Sequence, residues 1–240
     1  MKVTKHSENL YQLTQLGFIN CYLVREDDGF TLIDAAMSGQ GPKIIEIARG
    51  LGLPITRLLL THAHADHVGS LDELHEALPD AQVGIGARDA RFLSGDMSMD
   101  PGEPKTKLRG GYVVTKTKPT LLFNEGDRVG SLEVVATPGH TPGQVAYFDT
   151  RDRALIVGDA FQTMGGVAVC GTFVPLFPLV VMATWNKGLA LASARKLLAL
   201  QPSSLSVGHG RVLKQPQAEM ERAIQVMERV VAKDKESQEA

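Results

Sequence analysis

Six consecutive residues, His62-Ala63-His64-Ala65-Asp66-His67, hold three imidazoles and a carboxylate. Histidine and aspartate are the usual nitrogen and oxygen ligands of zinc, and catalytic zinc sites keep one coordination position for water or substrate. Imidazoles crowded this closely repel one another on protonation, which argues against a solvated turn or a set of satisfied core histidines. The run follows Ile55 to Thr61, an apolar stretch that reads as a buried strand. In an extended chain alternate side chains point the same way, so His62, His64 and Asp66 are expected to share a side. His67 breaks that period, marks the turn into a following helix and offers a ligand to a second ion.

Three further residues of ligand type occupy similar settings. His140 lies in Thr137-Pro138-Gly139-His140-Thr141-Pro142-Gly143, after the apolar strand Leu132 to Ala136. Asp159 follows the strand Ala154 to Val157, and His209 follows Leu205 to Val207. Each comes directly after a short apolar run and beside glycine, which is how loops at strand ends bring ligands together without steric conflict. The prolines flanking His140 stiffen its turn, as suits a ligand that must stay in place.

With an HxHxDH run followed in order by His, Asp and His, the sequence resembles the metallo-β-lactamase fold superfamily over nearly its whole length. The resemblance implies an α/β fold, a single-domain four-layer αββα sandwich with a two-metal site along one edge of its sheets. It implies that His62, His64 and His140 bind the first metal, that Asp66, His67 and His209 bind the second, and that Asp159 bridges both. Two departures narrow the subtype. Asp159 stands where β-lactam-hydrolysing members typically carry cysteine or serine, and His64 stands where flavodiiron oxygen reductases carry glutamate. What remains resembles glyoxalase II-like thioesterases, lactonases and ribonuclease Z-type phosphodiesterases.

The implied cofactors are two zinc ions per chain, although mixed imidazole and carboxylate ligands also accept iron or manganese. Two divalent ions bridged by Asp159 would lower the pKa of a shared water, giving hydroxide as the nucleophile, with Asp66 as the catalytic residue that orients it. The expected reaction is hydrolysis of an ester, thioester or lactone of a small, uncharged or apolar compound. Competing readings are a phosphodiesterase or nuclease, an iron-dependent sulfur dioxygenase with one metal, and a non-catalytic metal- or ligand-binding protein. The last would normally have lost ligands, and every one is present.

Composition sets wider limits. The chain has 240 residues, 43% of them hydrophobic, enough for one well-buried domain. A net charge of −2 gives no general attraction to nucleic acid or to acidic membranes, so the expected partner is a small-molecule substrate, with a homodimer as a further option. The cysteines are Cys21 and Cys170, and Cys21 lies in an apolar strand pattern that suits a buried thiol better than a disulfide. Met1 to Glu8 has no apolar signal core, and a cytoplasmic protein is expected.

The elements that must position the site follow from periodicity. Leu10 to Leu16, Phe18 to Val24 and Phe30 to Asp34 read as successive strands. Pro42 opens a helix that ends at Gly50 to Gly52. Val68, Leu71, Leu74 and Leu78 form one face of a helix after the metal run, and Met220 to Val231 carry a helical stripe suited to core packing. The domain is expected to span residues 1–232, with 233–240 a charged, frayed tail.

Two segments break the pattern. Residues 94–119 have little apolar periodicity and read as a long loop, whose Lys105, Lys107, Arg109, Lys116 and Lys118 either steer an anionic substrate or are simply solvated. From Ala154 to Asn186 the only charged residue is Asp159. Pro175, Pro178 and the nearby glycines exclude a membrane span. This stretch either packs into the domain or a dimer interface, or walls a pocket in which Phe161, Phe173, Phe177 and Trp185 contact substrate. It lacks the Lys or Arg with which glyoxalase II-like enzymes hold a glutathione carboxylate, and the tyrosine with which many lactonases polarise the carbonyl.

Overall fold

The computed structural model describes residues 1–239 of the protein. Its first sheet has seven strands in sequence order: β1 (Lys2–Lys5), β2 (Leu10–Gln15), β3 (Ile19–Glu26), β4 (Gly29–Ile33), β5 (Ile55–Leu59), β6 (Gln82–Gly86) and β7 (Leu121–Phe123). The first four pair antiparallel through short turns; β4 to β7 pair parallel. Parallel neighbours need crossovers. Those are α1 (Gly41–Gly50), then α2 (Ala65–Val68) with α3 (Leu71–Ala77), then α4 (Ala90–Leu93) with the long loop that follows it.

The second sheet contains β8 (Arg128–Val129), β9 (Leu132–Ala136), β10 (Val145–Asp149) and β11 (Ala154–Ile156), with β14 (Ser204–Ser206) and β15 (Leu213–Lys214) beyond β11. Between β11 and β14 the chain forms a small hairpin, β12 (Phe161–Gln162) with β13 (Ala168–Val169), and then α5 (Leu179–Ala183) and α6 (Lys187–Ala199). The last helix is α7 (Gln217–Glu239).

Strand alternation produces four layers. In β3, Tyr22 and Val24 point toward the second sheet while Cys21 and Leu23 point toward the helices of the first. In β10, Val145 and Tyr147 face the first sheet, and Ala146 and Phe148 face the side of α6 and α7. Both faces of each sheet are therefore apolar, and the central layer joins Leu59, Tyr22 and Ile33 to Leu132, Val134 and Ile156. The protein is a single-domain α/β sandwich whose sheets are flanked by helices. Cys21 and Cys170 are both free and buried.

Two expectations need correction. The helix anticipated after the metal run is split, because Gly69 N donates to Ala36 O and the Ser70 hydroxyl bonds Met37 O and Gln40 N. Those contacts tie residues 69 and 70 to the loop before α1 instead of to their own helix. At the C-terminus, α7 continues through the charged stretch expected to fray as far as Glu239, with Asp234 paired to Lys187 of α6 at 2.7 Å, while residue 240 of that expected tail lies outside the described residues. Among the described residues no helix is long and apolar enough to cross a membrane.

Candidate metal centre

Four strand ends converge at one edge of the sandwich. After β5 the chain leaves the sheet: Leu60 N donates to Gly84 O, and Thr61 N to the Asp34 carboxylate at 2.8 Å. His64 is the last extended residue before α2, with φ −75° and ψ 149°. Asp66 and His67 consequently lie within a helical turn, closed by bonds from His67 N and Val68 N to His64 O. The extended spacing that would have placed Asp66 on one side with His62 and His64 is overturned. The helix instead sets Asp66 beside His67 and His209.

On the second sheet β11 and β14 run parallel, and Gly208 N donates to Gly158 O at 2.7 Å, so Asp159 and His209 emerge side by side. A Cβ on residue 208 would collide with the Asp159 carboxylate and the His67 ring, so only glycine fits. The turn carrying His140 joins β9 to β10 at the same end, because β10 is antiparallel to both β9 and β11. Val145 N donates to Thr61 O at 2.9 Å and links the two sheets there.

Each imidazole is held by one ring nitrogen and presents the other inward. His62 Nδ1 lies 3.0 Å from Thr61 Oγ1, His64 Nε2 3.0 Å from Arg109 O, and His67 Nδ1 2.8 Å from Asp34 Oδ2. His140 Nδ1 lies 3.3 Å from Thr184 Oγ1, and His209 Nδ1 3.2 Å from Phe18 O. The inward atoms gather into three groups, His62/His64/His140, His62/His67/Asp159 and Asp66/His67/His209, the ligand atoms of each lying within 4.8 Å of one another. Asp159 sits between them, with Oδ1 3.4 Å from His67 Nε2 and Oδ2 3.3 Å from both His140 Nε2 and His209 Nε2.

This donor set fits metal ions. His62 Nε2, His67 Nε2 and Asp159 Oδ1 are buried without a hydrogen-bond partner, and buried polar atoms are rarely left so. A cation between them would supply the missing partner, and outer contacts of the kind seen on every ring are the usual support of metal-binding histidines.

The electrostatics divide the cluster. Burial, followed by the charges of neighbouring imidazoles, holds His62 well below its ordinary range. Burial likewise pushes His64 down to about 4 and His140 down to about 3, so both are neutral donors. Burial also disfavours charge on His67, but Asp66, Asp159 and Asp34 outweigh it and raise its pKa. His209 is similarly lifted to about 9, against burial, chiefly by Asp159. Burial raises the Asp159 and Asp66 carboxyls, yet the positive charge of these two imidazoles keeps both below the usual range.

A cavity of about 210 Å³ opens onto the ligands, where Asp66, His64, Asp159 and His209 meet Phe18, Leu179, Val180 and Ala183. The backbone of Gly110 and Gly111 closes another side. Of the four aromatic residues expected to contact substrate, Phe177 packs on Phe18 and His209, with ring centroids 5.5 and 5.2 Å away. Phe161 is instead fully buried in the core, because β12 pairs with β13 and turns it inward. Phe173 is 66% exposed and does not line this cavity. Trp185 is buried, its indole N–H donating to Thr106 O at 2.9 Å.

Sequence reasoning missed Asp34, which orients His67 and Thr61, and missed the backbone supports Arg109 O and Phe18 O. Asp34 had a readable signal: like Asp159 and His209, it directly follows an apolar strand.

The profile of the metallo-beta-lactamase superfamily matches residues 14–209 of this sequence. The chain belongs to that superfamily. Its similarity to the uncharacterized protein YobT of Bacillus subtilis (strain 168) is 47% identity over 229 residues, covering 94% of this chain and 98% of YobT. A hydroxyacylglutathione hydrolase of Rhodospirillum rubrum is 30% identical over 214 residues, covering 87% of this chain and 68% of that protein. Among solved structures, TTHA1623 in a di-iron-bound form superposes with a TM-score of 0.61 at 28% identity, covering 86% of this chain and 94% of that one. The chain is thus a member of a metallo-hydrolase superfamily whose His/Asp cluster can bind divalent metal.

Proposed function

We propose that the protein is a dinuclear metal-dependent hydrolase that cleaves an ester, thioester or lactone carbonyl in a small molecule. His62, His64 and His140 would hold one ion, Asp66, His67 and His209 the other, and Asp159 would contact both. The observation that carries this reading is the convergence of all seven side chains, with each imidazole anchored through its outer nitrogen. Divalent ions bound there supply an acidified water and polarisation of the scissile carbonyl.

The protein's own contribution is positioning. Asp66 is the most open of the seven, its side chain 34% exposed, and its free edge can accept a hydrogen bond from an attacking water. Leu179, Val180, Ala183 and Phe18 form an apolar wall beside the ligands, suited to an acyl chain. Zinc is the proposed metal; the same donors accept iron, which TTHA1623 contains, or manganese.

The test is elemental analysis of the purified protein, followed by a screen of lactones, thioesters, aryl esters and phosphodiesters after reconstitution with zinc, iron or manganese. Two ions per chain and turnover of carbonyl esters are expected, and Asp159→Ala should lower both metal content and turnover. Saturation at one ion, or a preference for phosphodiesters, overturns the reading.

A further inference from the structure

The loop after α4 carries cations whose role the sequence leaves open, and the structure puts two of them next to the metal centre. Lys107 and Arg109 line a cavity of about 540 Å³ with Trp185, Lys187, Gly188 and Asp234. Its walls are the groups that orient two metal-ligand histidines. Arg109 O receives His64 Nε2, Trp185 N donates to His140 O at 3.0 Å, and Thr184 Oγ1 meets His140 Nδ1. The chain neighbours Gly110 and Ala183 line the mouth of the metal centre itself. The linings of the two cavities are therefore contiguous along the chain, at Arg109 and Gly110 and again at Ala183 and Thr184.

The charge in this cavity is lopsided. Lys187 is paired with Asp234, but Lys107 and Arg109 have no acidic partner among the described residues. Three cations against one acid leave two positive charges on the wall, in a chain whose net charge is −2. The first turn of α6 adds to this. It contains no acidic residue, and the Asn186 side chain caps only Leu189 N, so the Lys187 and Gly188 amides have no acceptor among the described residues. Unpaired cations that line one cavity together with the positive end of a helix favour an anionic oxygen group. Val181 and the Trp185 ring supply apolar surface for the carbons that connect such a group to the reacting bond.

We propose that this cavity is a subsite for an anionic group, a carboxylate or a phosphate, borne on the leaving part of the substrate while the acyl part lies along Leu179 and Val180. The assignment rests on the hydrolase reading above. It makes the substrate amphipathic.

Trp185 is the chain's only tryptophan, so its fluorescence reports occupancy without any need for turnover. The probes are S-propyl mercaptopropionate, S-propyl mercaptoethylphosphonate as the phosphate mimic, and an uncharged thioether of equal length, none of which contains an ester bond. An anionic probe should change the emission of the holoprotein at concentrations roughly tenfold below those of the neutral one, and added salt should narrow that gap. The stronger of the two anionic probes identifies the head group. In parallel, kcat/KM is measured for S-butanoyl mercaptopropionate and for S-butanoyl ethanethiol. The ratio between them should fall roughly tenfold in Lys107→Gln/Arg109→Gln, mainly through KM, with metal content retained as the check on fold. Lys116→Gln/Lys118→Gln, in the same loop but outside the cavity, should leave the ratio as it is. Equal binding of charged and neutral probes, an unmoved ratio in the double variant, or noncompetitive inhibition by the anionic thioether overturns the subsite. Anion-dependent fluorescence without hydrolysis of any ester overturns the hydrolase reading and leaves the subsite standing.

Discussion

Asp34 holds His67 through a 2.8 Å contact between Oδ2 and Nδ1, and both side chains are buried. The same carboxylate accepts bonds from Thr61 N and Thr61 Oγ1, and that hydroxyl lies 3.0 Å from His62 Nδ1. One acidic residue thus braces ligands of both proposed ions. Asp34→Ala should weaken metal retention about 10- to 100-fold, the usual cost of removing such a support. Competition with a chelator measures it, and unchanged affinity at both sites would show that the contact is incidental.

Gly110 is the second lever on the centre. Its φ is +86°, and a Cβ there would collide with the His64 ring, whose Nε2 is bonded to the preceding carbonyl. Gly110→Ala should displace His64 and chiefly weaken the ion held by His62, His64 and His140. Elemental analysis should find the second site, at Asp66, His67 and His209, better filled than the first. Equal loss from both sites, or no loss, contradicts this.

The candidate ligands were legible as a set because their chemistry and their punctuation coincide: His62, His140, Asp159 and His209 each follow an apolar strand. Asp34 follows one too, but a single carboxylate outside any motif does not announce itself. The backbone support that the long loop gives the site was not readable, because it comes through the carbonyls of Arg109, Gly111 and Thr106, which any residue supplies. The break between α2 and α3 was hidden because Val68, Leu71 and Leu74 keep helical phase across it, while tertiary bonds to residues 36–40 cause it. Phe161 was misplaced for a similar reason. An almost charge-free segment signals burial, and composition cannot distinguish a core from a pocket wall.

The apolar wall can be tested by chain length. Leu179 is 52% exposed and lines the cavity at the centre, whereas Phe173 is exposed and does not line it. Leu179→Ala should cost about 1 kcal/mol of binding to a long acyl chain, roughly a fivefold rise in KM, and less for acetyl esters. Phe173→Ala should leave the chain-length preference unaltered. If the Phe173 variant shifts that preference and the Leu179 variant does not, the acyl chain lies elsewhere.

Asp89 ties two ligand loops together from beneath the site. Its buried carboxylate accepts bonds from Thr141 Oγ1 at 2.6 Å, Gly143 N at 2.7 Å and Ala63 N at 3.2 Å. Burial pushes its pKa from 3.8 up to about 6, against the downward pull of those hydrogen bonds. Between these values the folded protein keeps a proton that the unfolded chain has lost. The contribution to stability is therefore fully present below the unfolded pKa and is lost as pH rises through about 6. Asn cannot titrate there, so the stability difference between wild type and Asp89→Asn should move by about 3 kcal/mol in favour of wild type as the pH is lowered through this window. Urea unfolding with chelator present, which removes metal linkage, measures the difference at each pH. A difference that stays flat would mean that Asp89 is ionised in the fold throughout, with its three donors outweighing the cost of burial.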